Sequence, residues 1–174
     1  RVGEEDKSSS LPFAAARVIE AYDVSNIQGK FATGSMVTFI EGRPDKNFYR
    51  KFKIKITDEP NDVAMLKEVL ARRFTHSEWP YPDLILVDGG KAQFNTAVRV
   101  LKKYQRKSAL KSAKISVLAL AKKNNELYIK GRKKPILLKT LPRGIFNLVL
   151  QLRDEAHRFA INYHHKLRLK DIAP

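Results

Sequence analysis

DLILVDGG (83–90) decides how this chain folds. Four consecutive apolar residues, Leu84 to Val87, mark a strand buried on both faces rather than one that alternates between core and water. Asp88-Gly89-Gly90 ends it. A helix follows, in which Phe94, Ala97, Val98 and Leu101 recur at helical spacing. ISVLALA (115–121) is a second doubly buried strand. Strand, helix and strand in that order predict a parallel arrangement with a helix packed on one face.

Towards the amino end the pattern changes. RVIEAYDVS (17–25) alternates Val18, Glu20 and Tyr22 against Ile19, Ala21 and Asp23. GSMVTFIEG (34–42) is a second strand, closed by Gly42 and Pro44. NFYRKFKIK (47–55) is a third, half exposed with a cationic face. Short turns between the three predict an antiparallel meander. Asn61 or Asp62 caps a helix whose apolar stripe runs through Ala64, Met65, Leu66, Val69, Leu70 and Phe74. Towards the carboxyl end, ELYIK and PILLK flank a basic turn (Lys130-Gly131-Arg132-Lys133-Lys134) and read as an inserted hairpin. A long helix follows from about Arg143 to Leu167, with Ile145, Val149, Leu152, Ala156, Ala160 and Tyr163 on its buried face. The order predicts an α/β fold of the ribonuclease H-like layout: a mixed five-stranded sheet, three antiparallel strands then parallel ones, with helices on both faces. Residues 1–14 read as a polar linker or arm, 15–170 as the domain, and 171–174 as the cut tail of a fragment of a longer protein.

Composition narrows the function. The 174 residues suffice for one sizeable core, and the 43% hydrophobic content is ordinary for a globular domain. No cysteine is present, which excludes disulfides, a thiol nucleophile, a zinc ribbon and an iron–sulfur cluster. That fits a reducing cytoplasm. No apolar run approaches the ~20 residues that cross a bilayer, and no helix combines a wide apolar face with an opposing cationic one free of core duties, so no membrane role is expected. The net charge is +16, and it is unevenly placed. Residues 1–98 carry 14 basic and 14 acidic side chains, whereas residues 99–174 carry 20 and 4. Such a cationic half points to a polyanion partner.

The chemistry-bearing candidates follow from the layout. Asp23 lies late in the first strand and Asp88 ends the fourth. Taken singly, each is an ordinary turn residue. If the two strands are parallel neighbours, the carboxylates converge at the carboxyl edge of the sheet, where open α/β sheets bind ligands. Two carboxylates so close repel each other, and Mg²⁺ or Mn²⁺ between them would relieve the repulsion. Gly89 and Gly90 would let a phosphate backbone approach. His157, in RDEAHRFA on the last helix, lies beside the buried stripe and is placed to bind metal or move a proton. Asp62 is a fourth candidate, with a helix N-cap as its plain explanation. At most one of Asp154 and Glu155 faces the site. His164 and His165 read as phosphate contacts or surface. Lys122, Lys123, Lys130, Arg132, Lys133, Lys134 and Arg153 are the cations expected to meet the polyanion.

On these residues the chain resembles a known family. AYDVSNIQGKFATGSMVTFIEGRPDKNFYRKFKIK (21–55), NDVAMLKEVLARRF (61–74), PDLILVDGGKAQF (82–94), LALAKK (118–123) and LQLRDEAHRFAINYHHKLR (150–168) are similar, in order, to the C-terminal endonuclease domain of UvrC, the nuclease subunit of bacterial nucleotide excision repair. The resemblance implies a metal-dependent endonuclease that cuts damaged double-stranded DNA on the 5′ side of a lesion. It implies metal and catalytic roles for Asp23, Asp88 and His157, and a further acidic role for Asp62. Lys91 and Gln93 would lie near DNA phosphates. Family members usually carry two adjacent acidic residues where this chain has Asn61-Asp62. The resemblance also implies a partnership with the UvrB helicase subunit through parts of the full-length protein outside this chain. The alternatives are another ribonuclease H-like nuclease, deoxyinosine-specific or hybrid-cutting, and a non-catalytic DNA-binding domain.

Overall fold

Alternation along the first strand sorts its side chains onto two faces, and the rest of the molecule packs accordingly. The computed structural model of the chain describes residues 11–26, 31–56, 61–107 and 109–172. The first strand, β1 (Val18–Ser25), turns Ile19 and Ala21 to one core and Tyr22 to the other. It pairs antiparallel with β2 (Thr33–Ile40) and parallel with β5 (Leu84–Asp88). β5 in turn pairs parallel with β6 (Ser116–Ala121). The adjacency of first and fourth strands is therefore present, in the register Ile19↔Leu84 to Tyr22↔Val87.

The sheet is wider than the five strands expected. Among the described residues eight strands form it, because the hairpin does not stand apart: β7 (Glu126–Ile129) pairs antiparallel with β6, and β8 (Ile136–Leu137) pairs with β7. Leu127 is fully buried, so the hairpin gains more by extending the sheet than by projecting into water. The third strand is also interrupted. A two-residue hairpin turn, Glu41-Gly42, with positive φ at both residues, leads into β3 (Arg43–Pro44). A 3-10 turn at Lys46–Phe48, capped by Asp45, breaks the strand before β4 (Arg50–Lys53) rejoins β2. Pro44 is not the cause: it pairs opposite Phe39, and the next ladder bond, from the Asp45 amide to the Thr38 carbonyl, is made at 2.8 Å before the turn begins.

Helices cover both faces. α1 (Asp62–Thr75) and α2 (Lys91–Lys107) pack on one, with Leu66, Val69, Leu70, Ala97 and Leu101 buried against Tyr22, Ile85 and Val87. Gly34 of β2 is the contact point for α1. A Cβ there would stand 2.3 Å from Val69 Cγ2, so only glycine lets helix and strand meet. α3 (Arg143–Ile172) covers the other face through Val149, Leu152 and Ala156, against Ile19, Ala21, Leu84 and Leu86. It runs past the expected end at Leu167. Leu11 and Phe13, within the expected arm, are buried in that same core; residues 1–10 of the arm lie outside the described residues.

One buried polar network sits between β1, α1 and the loop after α1. The fully buried Arg73 donates to Glu20 Oε1 from Nε (2.9 Å) and Nη2 (2.7 Å), and to the carbonyl oxygens of Pro80 (2.7 Å) and His76 (3.3 Å). The Tyr22 hydroxyl donates to the other Glu20 oxygen. Burial pushes the Glu20 carboxyl up, and the guanidinium works against it. Breaking one side of such a pair costs more than the pair contributes. Arg73→Met is expected to destabilise the chain by ~3–5 kcal/mol. The unpaired carboxyl then binds its proton more tightly folded than unfolded, so the loss should grow as pH rises above about 4. Urea melts at pH 5 and pH 8 check both points, and Glu20→Gln with Arg73→Met should recover most of the loss.

Candidate functional site

The strand ends carry the site. Asp23 follows Ala21 by two residues and Asp88 follows Leu86 by two, so both carboxylates project on the face that α3 covers. The register Tyr22↔Val87, carried one residue on, sets them side by side. Asp23 is buried, at 6% exposure. His157, one turn beyond Arg153 on α3, donates from Nδ1 to Asp23 Oδ2 at 3.0 Å. Lys122, just past β6, pairs with Asp88 Oδ2 at 2.8 Å. Burial pushes the Asp23 carboxyl up, the bond from His157 pulls it down, and the charge of Asp88 adds to the rise.

An open cleft of about 460 Å³ lies over these groups. Asp23, Asp62, Asp88 and His157 all line it, so four residues scattered over 135 positions share one space. Asp62 is not the helix cap. Asn61 is, accepting from the amide of Ala64 at 2.9 Å, which leaves Asp62 facing the cleft. The Asp88-Gly89-Gly90 turn forms the floor. Gly89 has φ +142°, and a Cβ there would stand 2.5 Å from Gln93 Cγ. Gln93 folds back to accept from the Gly90 amide at 3.0 Å, so its side chain braces the turn while also lining the cleft.

The expected cations divide into groups. Lys122 and Lys123 line the cleft. Arg153 borders the small void beneath the two carboxylates and pairs with Asp154 at 3.0 Å. Lys91 is exposed at the first position of α2, outside the cleft lining. Lys130, Arg132, Lys133 and Lys134 are elsewhere. β7 runs away from the cleft, Glu126 opposite Ala121 and Ile129 opposite Leu118, so this turn lies beyond the far end of β6. Four strand residues separate it from the cleft, roughly 13 Å. Neither Asp154 nor Glu155 faces the cleft: Glu155 accepts from Tyr49 and Arg158 instead.

His164 departs from the surface role expected of it. It is buried at 6% exposure and lines the cleft. Its Nε2 lies 2.5 Å from Ser25 Oγ and 2.9 Å from Thr33 Oγ1, tying α3 to the end of β1 and the start of β2. Burial, with the charge of Arg168, pushes the imidazole down, so it stays neutral near pH 7. The signal was available. The buried stripe Leu152, Ala156, Ala160 steps by four, and one more step lands on His164.

The donor set suits a divalent cation. Two hard carboxylates repel each other at one open end of the sheet, and a cation relieves the repulsion. Among the described residues no group of three such side chains stands close enough to form a complete metal centre. No helix among them is long and apolar enough to cross a membrane.

Comparison with known proteins adds the family. Residues 9–161 match the family model described as the UvrC RNase H endonuclease domain. The UvrABC system protein C of Dictyoglomus thermophilum is 47% identical over 156 residues, covering 88% of this chain and 25% of that protein. Its counterpart in Methanosphaera stadtmanae is 46% identical over 165 residues, covering 87% and 26%. The chain thus spans about a quarter of the length of these curated relatives. Among solved structures, human endonuclease V is a remote likeness: TM-score 0.45, 15% identity, 72% of this chain and 52% of that one. Endonuclease V of Ciona intestinalis, in complex with inosine-containing DNA, has a TM-score of 0.42 and 14% identity, with 85% and 60% covered.

The cost of the acidic pair is measurable. A carboxyl whose folded pKa is raised lowers stability as pH rises. Asp23→Asn should therefore stabilise the metal-free chain by ~0.5–2 kcal/mol at pH 8, with a smaller gain at pH 5. Thermal melts in EDTA at the two pH values measure it.

Proposed function

Because the chain belongs to the UvrC RNase H endonuclease domain family, we propose that its cleft hydrolyses a DNA phosphodiester on the 5′ side of a lesion, with Asp23, Asp88 and His157 as the working groups. The observation that supports this reading best is the joint placement of those three, with Asp62, in one open cleft. Asp23 and Asp88 would hold Mg²⁺ or Mn²⁺. Such an ion, when bound, supplies charge stabilisation for the phosphoryl oxygens and a more acidic water.

The chain's own groups do the rest. Asp23 orients the imidazole by accepting from Nδ1, which leaves Nε2 of the half-exposed His157 to exchange a proton with water or a phosphate oxygen. Asp62 adds a third carboxylate at the rim. Lys122 and Lys123 offset phosphate charge beside Asp88. The tight Gly89-Gly90 turn lets the backbone of a strand come close. Lys122 on Asp88 and His157 on Asp23 limit the repulsion within the acidic pair, while Arg153 below it pairs with Asp154. Lys91 and the basic turn at Lys130 to Lys134 lie outside the cleft and would meet DNA only away from the cut.

Within the longer protein, the domain would work on damaged double-stranded DNA in the cytoplasm, with UvrB as partner. Incision of a lesioned duplex by the full-length protein with UvrB tests the assignment. Asp88→Ala should abolish the 5′ cut and spare the 3′ cut; survival of both cuts would overturn the acidic site. The basic half of the chain leads to a second expectation. DNA affinity should fall steeply between 50 and about 200 mM salt, whereas Mn²⁺ uptake at the two carboxylates should change far less. Anisotropy and calorimetric titrations over that range compare the two.

A further inference from the structure

α3 has a second working side. Ala160, Ile161 and His164 turn towards the acidic cleft. Arg158, Phe159, His165 and Lys166 turn the other way, towards a separate cleft of about 520 Å³. Its opposite wall is the interrupted third strand, with Lys46, Tyr49 and Lys51. The helix itself is the partition between the two.

The second cleft is cationic, and no acid lines it. Two carboxylates stand near it and are engaged: Asp45 caps the 3-10 turn by accepting from the Asn47 amide (3.1 Å), and Glu155 accepts from the Tyr49 hydroxyl (3.0 Å) and from Arg158 (2.5 and 2.9 Å). Lys46, Lys51 and Lys166 form no ion pair with any described residue. Lys51 is held by rings instead of a carboxylate. Its ammonium lies 5.1 Å from the Phe159 ring and 5.2 Å from that of Tyr163, and Tyr49 meets Phe159 edge-on at 5.1 Å. Burial, with the charges of Lys166 and Lys170, pushes this ammonium below its ordinary range. Cations fixed against mutual repulsion on an aromatic platform are arranged for an anion.

The spacing suggests which one. An α-helix with its side chains is ~10–12 Å across. The major groove of duplex DNA is ~12 Å wide and admits one helix, with the phosphates of one strand on each side. We propose that α3 lies in the major groove of a duplex, with one strand in the acidic cleft and the phosphates of the complementary strand in the cleft of Lys51 and Lys166. The proposal rests on the nuclease reading for the identity of the first strand, and adds a site for the second. Ile161, His165 and Arg168 would form the ridge between the strands.

Binding, read without cutting, tests it. Fluorescence anisotropy in EDTA compares this chain on a duplex and on the single strand alone. Lys51→Glu with Lys166→Glu should weaken duplex binding at least tenfold at 0.1 M salt. The slope of log K against log salt should flatten by about 2, roughly one for each phosphate that is no longer neutralised. Single-strand affinity should stay within twofold. Lys111→Glu with Lys114→Glu makes the same charge change on the exposed segment after α2 and should move duplex binding less than threefold. Equal losses for duplex and single strand would overturn the proposal, and so would equal losses for the two pairs of variants. Lys51→Gln with Lys166→Gln, checked by thermal melting, gives the same ordering if the charge reversals disturb folding. None of these readouts needs catalysis. If this chain binds as described but the full-length protein, with metal and UvrB, makes no 5′ cut, the nuclease reading falls and this one stands.

Discussion

The parallel pairing of β1 with β5 is the constraint on which the structure turns. It is a long-range contact, joining residues about 65 positions apart, and the chain completes it only by burying both strands under helices. Once formed, it forces Asp23 and Asp88 onto one edge and one face. Two carboxylates in that position repel, so other interactions must hold the strands in register. Ile19, Ala21, Leu84 and Leu86 do so against α3, and Tyr22, Ile85 and Val87 against α1 and α2. The Glu20–Arg73 pair pins the same strand to α1 three residues below Asp23. The two carboxylates, costly to bring together, thus sit at the end of strands that both cores hold.

α3 links every part of the active edge. It seals one face of the sheet through Leu152 and Ala156, presents His157 to Asp23, and ties His164 to Ser25 and Thr33. These roles follow one another around the helix. Its buried stripe, its cleft-facing side and its Lys166 side are successive sectors of one 3.6-residue repeat. Its position is therefore coupled to both the acidic cleft and the basic one.

The charge asymmetry has a more specific meaning in three dimensions. The excess of cations beyond residue 98 is not one surface. Lys122 and Lys123 border the acidic cleft, Lys166 joins Lys46 and Lys51 across α3, and the basic hairpin turn lies beyond the far end of β6. Lys46 and Lys51 come from the half that is neutral in sum. Net charge by segment predicted a polyanion partner, but pairing and packing decide which cations meet in space.

Periodicity alone made much of this legible. The doubly buried DLILV strand, the alternation of RVIEAYDVS and the helical stripes are local patterns, and each is set by which face of a short element must leave water. They were sufficient for the mixed sheet and the order of elements; the convergence of Asp23, Asp88 and His157 depended on the first and fourth strands pairing, which is a long-range contact. Asn61-Asp62 was ambiguous, because either side chain can cap a helix; the backbone geometry gave the cap to Asn61 and freed Asp62 for the cleft. The hairpin joined the sheet because Leu127 needed a neighbour, which no local pattern states. Arg73 and Glu20 look like surface charges in sequence and are buried only because loop, helix and strand meet over them. His164 was obscured by the basic residues around it. What the chain alone determined was each element and its buried face, since those depend on neighbours a few residues away. Only the tertiary structure decided which polar groups lost their water and found partners, because that depends on surfaces brought together from distant parts of the chain.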